Sequence, residues 1–304
     1  MLKFNENVRL IICDVDDTAA KVYLKSEKRL VAQFEKLLSE GKALFFISGQ
    51  GRDGIHERIT SQIRPALRKR TLLGTCLGAE VWGFDGNGEL EKQPVYTLYE
   101  KMSGRRRKNW RELVGQLIEE FELKRYPLTP VSEFRKAAGI TNPNAIMLAD
   151  RGAQITFELV NDAKHSLRGK MRARANSLLG KNRIPVEATF GGTFALDLRL
   201  KGASKEEAVR RVVRSEKLLA RLGLSRKEIS PAEERIEIWG DRFELGLPDA
   251  EVCLALPKAV RAIDFRREEN PSKFPKGHKI VFWDGKKQLD EGLLEYLDSR
   301  KNAG

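Results

Sequence analysis

The sequence predicts an α/β protein whose core is a doubly wound, parallel β-sheet with a Rossmann-like arrangement. Residues 10–13 form a run of four apolar side chains, and residues 43–47 form a second apolar run of strand length. Between them, residues 26–38 carry apolar side chains at helical spacing. Strands that are buried on both faces and joined by a helix are typical of parallel sheets with right-handed crossovers.

Length and composition favour two domains. The 304 residues and the hydrophobic content of 41% suffice for one large core or two moderate ones, and length alone favours about two domains. No stretch approaches the roughly 20 apolar residues of a membrane span, and the first six residues lack the hydrophobic region of a signal peptide. We therefore expect a cytoplasmic protein that does not bind membranes.

The cysteines indicate the state of the thiols, and the charge indicates the kind of partner. Cys13, Cys76 and Cys253 lie in apolar runs without metal-binding spacing, which indicates buried free thiols. The formal net charge of +13 favours anionic ligands. The densest basic run, residues 105–108, is typical of a solvated helix start, and no recognised nucleic-acid-binding module surrounds it. The charge therefore leaves phosphorylated metabolites and nucleic acid open as partners, and nucleic acid is the less expected of the two.

An inserted segment interrupts the core pattern. Alternation and turn residues at 79–88 predict a β-hairpin that leaves the core sheet. The next hundred residues combine helices with paired strands, which favours an α+β domain with an antiparallel sheet. The expected strands are 145–148, 154–159, 185–190 and 194–200, and the expected helices are a long one around residue 114, a short one at 131–138 and another at 163–179.

The core pattern returns at Ser204, where a serine followed by acids predicts the start of a helix. Strands are expected at 235–239, 251–256 and 279–283, before a closing helix at 290–297. We therefore assign residues 1–86 and 194–304 to the core and residues 87–193 to an inserted α+β domain.

Three acids directly follow the first strand. Asp14, Asp16 and Asp17 lie at its carboxyl end, outside which open α/β sheets bind their ligands. Carboxylates this close repel one another, and a hard cation with oxygen ligands, usually Mg²⁺, makes such a cluster tolerable. A solvated acidic turn is the alternative that this motif alone leaves open.

Three further pieces carry phosphate-binding or metal-binding chemistry. Ser48 and Gly49 end the second strand, where a hydroxyl and backbone N–H groups can donate to phosphate oxygens. An ordinary turn after a strand is the alternative for this pair. Lys205 stands at a predicted helix start, where a solvated lysine is the alternative. Asp241 follows a later strand, and Asp249 comes eight positions after it.

In this order, the four pieces resemble the motifs of the haloacid dehalogenase superfamily of phosphotransferases. The segment inserted between the second and third pieces looks like the type-2 cap of that family. Two details resemble its phosphomannomutase-like branch: the spacing from Asp241 to Asp249, and the segment 191–197 ahead of Lys205.

The resemblance implies a phosphatase that works through an aspartyl-phosphate. Asp14 would be the nucleophile, and Asp16 would be the general acid and base. Mg²⁺ would be held by Asp14, the Asp16 carbonyl and Asp241, with Asp249 supporting the metal site. The phosphoryl oxygens would be bound by Thr18, Ser48, Gly49 and Lys205, and Lys205 would also be catalytic by offsetting charge in the transition state.

Some positions depart from the family's pattern. Asp17 stands where glycine is most common, and Pro248 replaces the asparagine that usually precedes Asp249. In the cap, the resemblance implies that Arg151 and Asp197 would make the sugar-phosphate contacts of phosphomannomutases. Ala195 lacks the hydroxyl of that branch, and its second cap arginine falls near Glu158. Arg151 as an ordinary surface residue is the alternative.

Three functions follow from these features. The preferred one is Mg²⁺-dependent hydrolysis of a phosphate monoester, such as a sugar phosphate. Phosphomannomutase-like phosphohexose mutase activity is the alternative. The third is a non-catalytic module that binds an anionic ligand or nucleic acid, which the positive charge suggests.

Overall fold

The computed structural model describes residues 2–22, 24–129, 131–139, 141–160, 166–191, 194–266 and 273–302. The chain divides into two compact units. Unit 1 comprises Met1–Tyr96 and Ser204–Gly304, and unit 2 comprises Thr97–Ala203. Unit 2 is therefore inserted in the sequence of unit 1.

The strands in chain order are β1 (Leu10–Asp14), β2 (Ala43–Ile47), β3 (Thr71–Thr75), β4 (Glu80–Trp82), β5 (Tyr96–Thr97), β6 (Lys124–Tyr126), β7 (Ala145–Asp150), β8 (Gln154–Leu159), β9 (Val186–Gly191), β10 (Ala195–Leu200), β11 (Ile236–Gly240), β12 (Arg261–Asp264) and β13 (Ile280–Phe282). The α-helices are α1 (Lys28–Ser39), α2 (Arg52–Arg58), α3 (Pro65–Arg68), α4 (Gly104–Glu120), α5 (Val131–Ala138), α6 (Ser166–Lys181), α7 (Lys205–Arg214), α8 (Glu216–Arg221), α9 (Ala232–Arg235), α10 (Pro248–Leu254) and α11 (Leu289–Asp298). None of these helices combines the length and the apolar character that crossing a lipid bilayer requires.

The larger sheet confirms the predicted doubly wound fold. Its order is β13-β12-β11-β1-β2-β3-β4-β5. Neighbours from β13 to β3 are parallel, whereas β4 runs antiparallel to β3. The chain adds strands on one side of β1 and later, from β11 onwards, on the other side. The winding therefore reverses between β1 and β11, and such a reversal is where ligands bind in open α/β sheets.

Alternate residues of the central strands pack on opposite faces of this sheet. Ile11 of β1 and Phe46 of β2 share one buried cluster with Phe34 of α1. Ile12 and Phe45 belong to the other cluster, which includes residues of α7 and α8. All residues of β1, β2 and β3 are buried, as expected of strands that are covered on both faces.

A five-stranded sheet lies in unit 2. Its order is β6-β7-β8-β10-β9, in which β6 and β7 are parallel and the other pairs are antiparallel. Side chains alternate along β8, where the apolar Ile155 and Phe157 alternate with the polar Gln154 and Thr156. Helix α6 contacts β9 and α4. This is the α+β composition that the sequence predicts for the inserted segment.

The structure corrects one predicted strand. Residues 251–256, predicted as a strand, fall largely within α10. Pro248 fits the first turn of a helix, because its missing N–H has no helical partner there. The buried Ala250 and Cys253 are three positions apart on one helical face. The strand that joins the sheet after β11 is β12, which the sequence analysis missed.

The boundaries of the inserted unit also differ from the expected ones at 86/87 and 193/194. Residues 87–96 belong to unit 1, and residues 194–203 belong to unit 2. The second difference arises because β10 pairs with β8 and β9. The helix predicted at 163–179 is described from Ser166 onwards, and Gly192 and Thr193 lie outside the described residues.

Candidate active site

Neighbouring strand ends bring the predicted acids together. Asp14 ends β1, Asp241 directly follows β11, and Asp249 lies in the first turn of α10. All three are buried, and one carboxylate oxygen from each lies within 4.8 Å of the others. A solvated acidic turn therefore does not describe Asp14.

Lys205 lies inside this cluster. Its Nζ donates to Asp14 Oδ1, and to Asp249 Oδ1 at 2.8 Å. The residue is 2% exposed, which rules out the alternative of a solvated lysine. Its backbone N–H donates to Glu251 Oε2 at 2.9 Å, and Ser204 caps the helix by accepting from the N–H of Glu207 at 3.0 Å. These contacts fix the start of α7 against α10.

The electrostatics of the cluster suit a bound cation. Burial, and then the charge of Asp249, raises the pKa of Asp14 well above its ordinary value. The same two causes raise the pKa of Asp241 to about 7. Burial opposes the charge of Lys205, but Asp14 and Asp249 outweigh it and raise the Lys205 pKa. Three buried carboxylates around one lysine leave excess negative charge, and such oxygen ligands fit a divalent cation.

Asp249 holds the loop that carries Asp241. Its Oδ2 accepts from the backbone N–H of Asp241 at 3.1 Å and from that of Arg242 at 3.0 Å. Its Oδ1 accepts from Lys205, so Asp249 links Lys205 to the loop that carries Asp241. A Cβ at Gly240 would lie 2.6 Å from Asp249 Oδ2, and this close approach explains the glycine.

Asp16 is tied to two other elements. Its Oδ2 accepts from Ser48 Oγ at 3.0 Å, and its Oδ1 accepts from Arg58 Nη1 at 2.7 Å. The Ser48 proton that was expected to meet a phosphate oxygen is therefore given to Asp16. Ser48 Oγ also accepts from the N–H of Gln50 at 3.0 Å. Arg58 was not predicted as a site residue, because no local pattern in α2 distinguishes it from other basic residues.

Thr18 is the residue after the acids to which the resemblance assigns a phosphoryl oxygen. Its hydroxyl is buried, and no described residue forms a hydrogen bond with it, although buried hydroxyls normally have a partner. Asp17 has a φ of 60°, a left-handed conformation that explains why glycine is favoured here and that aspartate tolerates. A Cβ at Gly49 would meet Leu77 at an ordinary 3.6 Å, so space does not require this glycine.

The two predicted cap residues share a polar cluster in unit 2. Arg151 Nη1 donates to Thr156 Oγ1 at 2.7 Å, and that hydroxyl donates to Asp197 Oδ1 at 2.6 Å. Burial raises the pKa of Asp197, and burial followed by the charge of Asp197 raises the pKa of Glu158 to about 7. A Cβ at Gly191 would lie 2.0 Å from Asp197 Oδ2, so this approach requires glycine.

No protein-family model matches the sequence, and no curated protein matches it. Solved structures do match. A haloacid dehalogenase-like hydrolase from Bacteroides thetaiotaomicron is 17% identical, with a TM-score of 0.59, over 96% of this chain and 99% of that one. The C-terminal domain of C. albicans trehalose-6-phosphate phosphatase is 14% identical, with a TM-score of 0.58, over 98% and 94% of the two chains. A trehalose-6-phosphate phosphatase related protein is 15% identical, with a TM-score of 0.56, over 96% and 97%.

Sequence identities of 14–17% establish a likeness of fold only. The likeness covers nearly the whole chain, because each match spans at least 96% of it. The closer resemblance to the phosphomannomutase-like branch stays a prediction. The chain has the fold of the haloacid dehalogenase-like hydrolases, as its four separated motifs predict.

Proposed function

We propose that this protein is a Mg²⁺-dependent phosphatase that hydrolyses a small phosphate monoester through an aspartyl-phosphate. The observation that carries the proposal is the buried cluster of Asp14, Asp241, Asp249 and Lys205 at the sheet's reversal point. A buried carboxylate beside a lysine and further acids suits nucleophilic attack on phosphorus, since the acyl phosphate that forms is itself labile.

The reaction would proceed in two displacements. An Asp14 oxygen forms a bond to phosphorus while the bond from phosphorus to the leaving oxygen breaks, and Asp16 gives that oxygen its proton. In the second displacement, Asp16 takes a proton from water, whose oxygen attacks phosphorus and frees Asp14. Lys205 and the Thr18 hydroxyl would bind phosphoryl oxygens, which carry more charge in the transition state.

Asp14, Asp241 and the Asp16 carbonyl would hold the cation, with Asp249 fixing the loop of Asp241. Bound Mg²⁺ would offset the negative charge of the phosphate and of the carboxylates. Two observations support a cation at this site. Three buried carboxylates surround a single lysine, and the pKa values of Asp14 and Asp241 are raised.

A sugar phosphate is the substrate class that we favour. Two of the matching structures are named for trehalose-6-phosphate phosphatase. We expect unit 2 to act as the cap that selects the leaving group, with Arg151 and Asp197 contacting its hydroxyl groups. Phosphohexose mutase activity is the second candidate, because Arg151 and Asp197 share one hydrogen-bonded cluster.

The test is phosphate release from a panel of phosphorylated metabolites with Mg²⁺ and with EDTA. Asp14→Asn should abolish release while the protein stays folded, because an amide fills the same volume but cannot form the acyl phosphate. Asp53→Asn is the matched control, since the Asp53 side chain is 72% exposed. Turnover that persists in Asp14→Asn would refute the nucleophile. Conversion of a sugar 1-phosphate to the 6-phosphate would favour the mutase, and absence of any turnover would favour a binding module.

A further inference from the structure

Arg58, the last residue of α2, makes three hydrogen bonds from a buried position. It is 7% exposed. Its Nη1 donates to Asp16 Oδ1 at 2.7 Å, its Nη2 to the carbonyl of Lys21 at 2.8 Å, and its Nε to the carbonyl of Leu24 at 2.9 Å. One rigid guanidinium therefore contacts both the acidic turn and the backbone that follows it.

Burial makes the contact with Asp16 specific. A buried guanidinium loses its hydration, so its charge must be matched by nearby acceptors. Of the three acceptors, Asp16 alone is a carboxyl group, since the other two are backbone carbonyls. Its second oxygen accepts from Ser48 Oγ at 3.0 Å, so the carboxylate is fixed at both ends. Two fixed oxygens define the rotation of the side chain as well as its position.

The same guanidinium couples Asp16 to the segment between β1 and α1. The Lys21 carbonyl is bound to Arg58, and the Lys21 Nζ donates to Glu291 Oε1 of α11 at 3.1 Å. A shift of this segment would therefore move Arg58 and, through it, Asp16. A displacement of about 1 Å in a catalytic group can lower a rate about 10²-fold.

We propose that Arg58 is a positioning residue that fixes the Asp16 carboxylate and the segment after the acidic turn as one body. It sets the geometry from which Asp16 exchanges a proton with the leaving group. This inference rests on the proposed phosphatase function, and it adds to it a residue that does not touch substrate.

The chain offers a matched control in Arg68. This residue of α3 is 9% exposed. It also makes three hydrogen bonds, to the carbonyls of Ser61, Ile63 and Gly88 at 2.9, 2.8 and 3.1 Å. Because none of these acceptors belongs to the candidate site, Arg68 variants report the cost of removing a buried arginine as such.

The experiment compares Arg58→Ala and Arg58→Lys with Arg68→Ala and Arg68→Lys. Turnover is measured with an alkyl phosphate, whose leaving group needs a proton, and with nitrophenyl phosphate, whose leaving group does not. In Arg58→Ala we expect kcat for the alkyl phosphate to fall about 10²-fold, with a clearly smaller loss for nitrophenyl phosphate. Arg58→Lys keeps the charge but not the planar fork, so it should lie between. Arg68 variants should change both substrates by the same factor.

A second comparison uses Asp16→Asn as the background. If Arg58 acts through Asp16, Arg58→Ala should add little further loss there, because residues that act as a unit are not additive. Equal losses for both substrates, or the same additional loss in the Asp16→Asn background, would overturn the inference. Should Arg58→Ala fail to fold, Arg58→Lys alone decides by the ratio of the two substrates.

An amide hydrogen-exchange measurement separates this inference from the proposed function. If the wild type releases no phosphate, the proposed function fails, but exchange at residues 17–22 still reports the role of Arg58. Faster exchange there in Arg58→Ala than in Arg68→Ala would uphold the positioning role. Equal exchange in the two variants would overturn it.

Discussion

Replacing Asp241 by asparagine should stabilise the metal-free protein above neutral pH, although it removes a proposed metal ligand. Burial, and then the charge of Asp249, raises the pKa of Asp241 from 3.8 to about 7. An acid with a higher pKa in the folded state binds more protons when folded, so the free energy of unfolding falls as the pH rises between the two values. The destabilisation begins above pH 3.8 and is complete once the pH exceeds about 7.

The size of the effect follows from this difference. A rise of about three in pKa corresponds to about 4 kcal/mol, at ~1.36 kcal/mol for each pKa unit. The Asp241 side chain is 6% exposed, so solvent screens little of it. Asp14 and Asp249 belong to the same group of buried acids, so removing one charge also relieves the other two. Because the effects of contacting residues are not additive, the gain should be smaller than this value. We therefore expect Asp241→Asn to gain about 2–3 kcal/mol at pH 8.

Urea unfolding with EDTA at pH 5 and pH 8 measures this gain. Asp241→Asn should be more stable than the wild type at pH 8, by a clearly larger margin than at pH 5, whereas the exposed Asp53→Asn should show no such dependence. Saturating Mg²⁺ should reverse the order, because a ligand that binds the folded wild type stabilises it. An equal difference at both pH values, or a less stable variant at pH 8, would refute the electrostatic reasoning.

Three further predictions concern single side chains. Asp16→Asn should slow hydrolysis of an alkyl phosphate by about 10²–10⁴-fold and that of nitrophenyl phosphate by less; equal losses would contradict proton transfer. Gly240→Ala should lower the free energy of unfolding in urea by about 1–3 kcal/mol, and it should lower turnover by displacing Asp249. The control Gly54→Ala should do neither, because a Cβ at Gly54 meets its nearest neighbour at an ordinary 3.6 Å. Glu158→Gln should stabilise the protein more at pH 8 than at pH 5, because the Glu158 pKa is raised to about 7; a pH-independent effect in the same unfolding assay would count against it.

The acidic site was predictable because its signals are local in the sequence. Strands that are buried on both faces are apolar along their whole length, as β1 and β2 are. In a parallel sheet, the residues that follow such strands lie at one edge of the sheet. Asp14 and Asp241 are therefore found by reading past the end of a strand. The prediction of a strand at 251–256 was wrong, because a short apolar run fits the period of a strand and that of a helix equally well. The sign that favours a helix there is Pro248, which fits its first turn.

Arg58 and the hydrogen bond of Ser48 were not predictable on these grounds. Arg58 is one of 56 lysine and arginine residues, and its partner Asp16 lies 42 positions away. What distinguishes Arg58 is burial, which arises from packing and leaves no periodic trace in α2. The sequence likewise places Ser48 at a strand end without showing which acceptor receives its proton.

The charge of the chain is divided unequally between its units. Residues 97–203 carry 20 lysine and arginine residues against 11 aspartate and glutamate residues, a net charge of +9 out of +13. Unit 1 therefore contributes a net +4, and its buried cluster holds three acids around one lysine. A basic excess attracts anions over distances set by the ionic strength, whereas a buried acid cluster needs a cation before an anion can approach. Most of the net positive charge thus lies in the inserted unit, while the acids proposed to act on the phosphoryl group belong to the core.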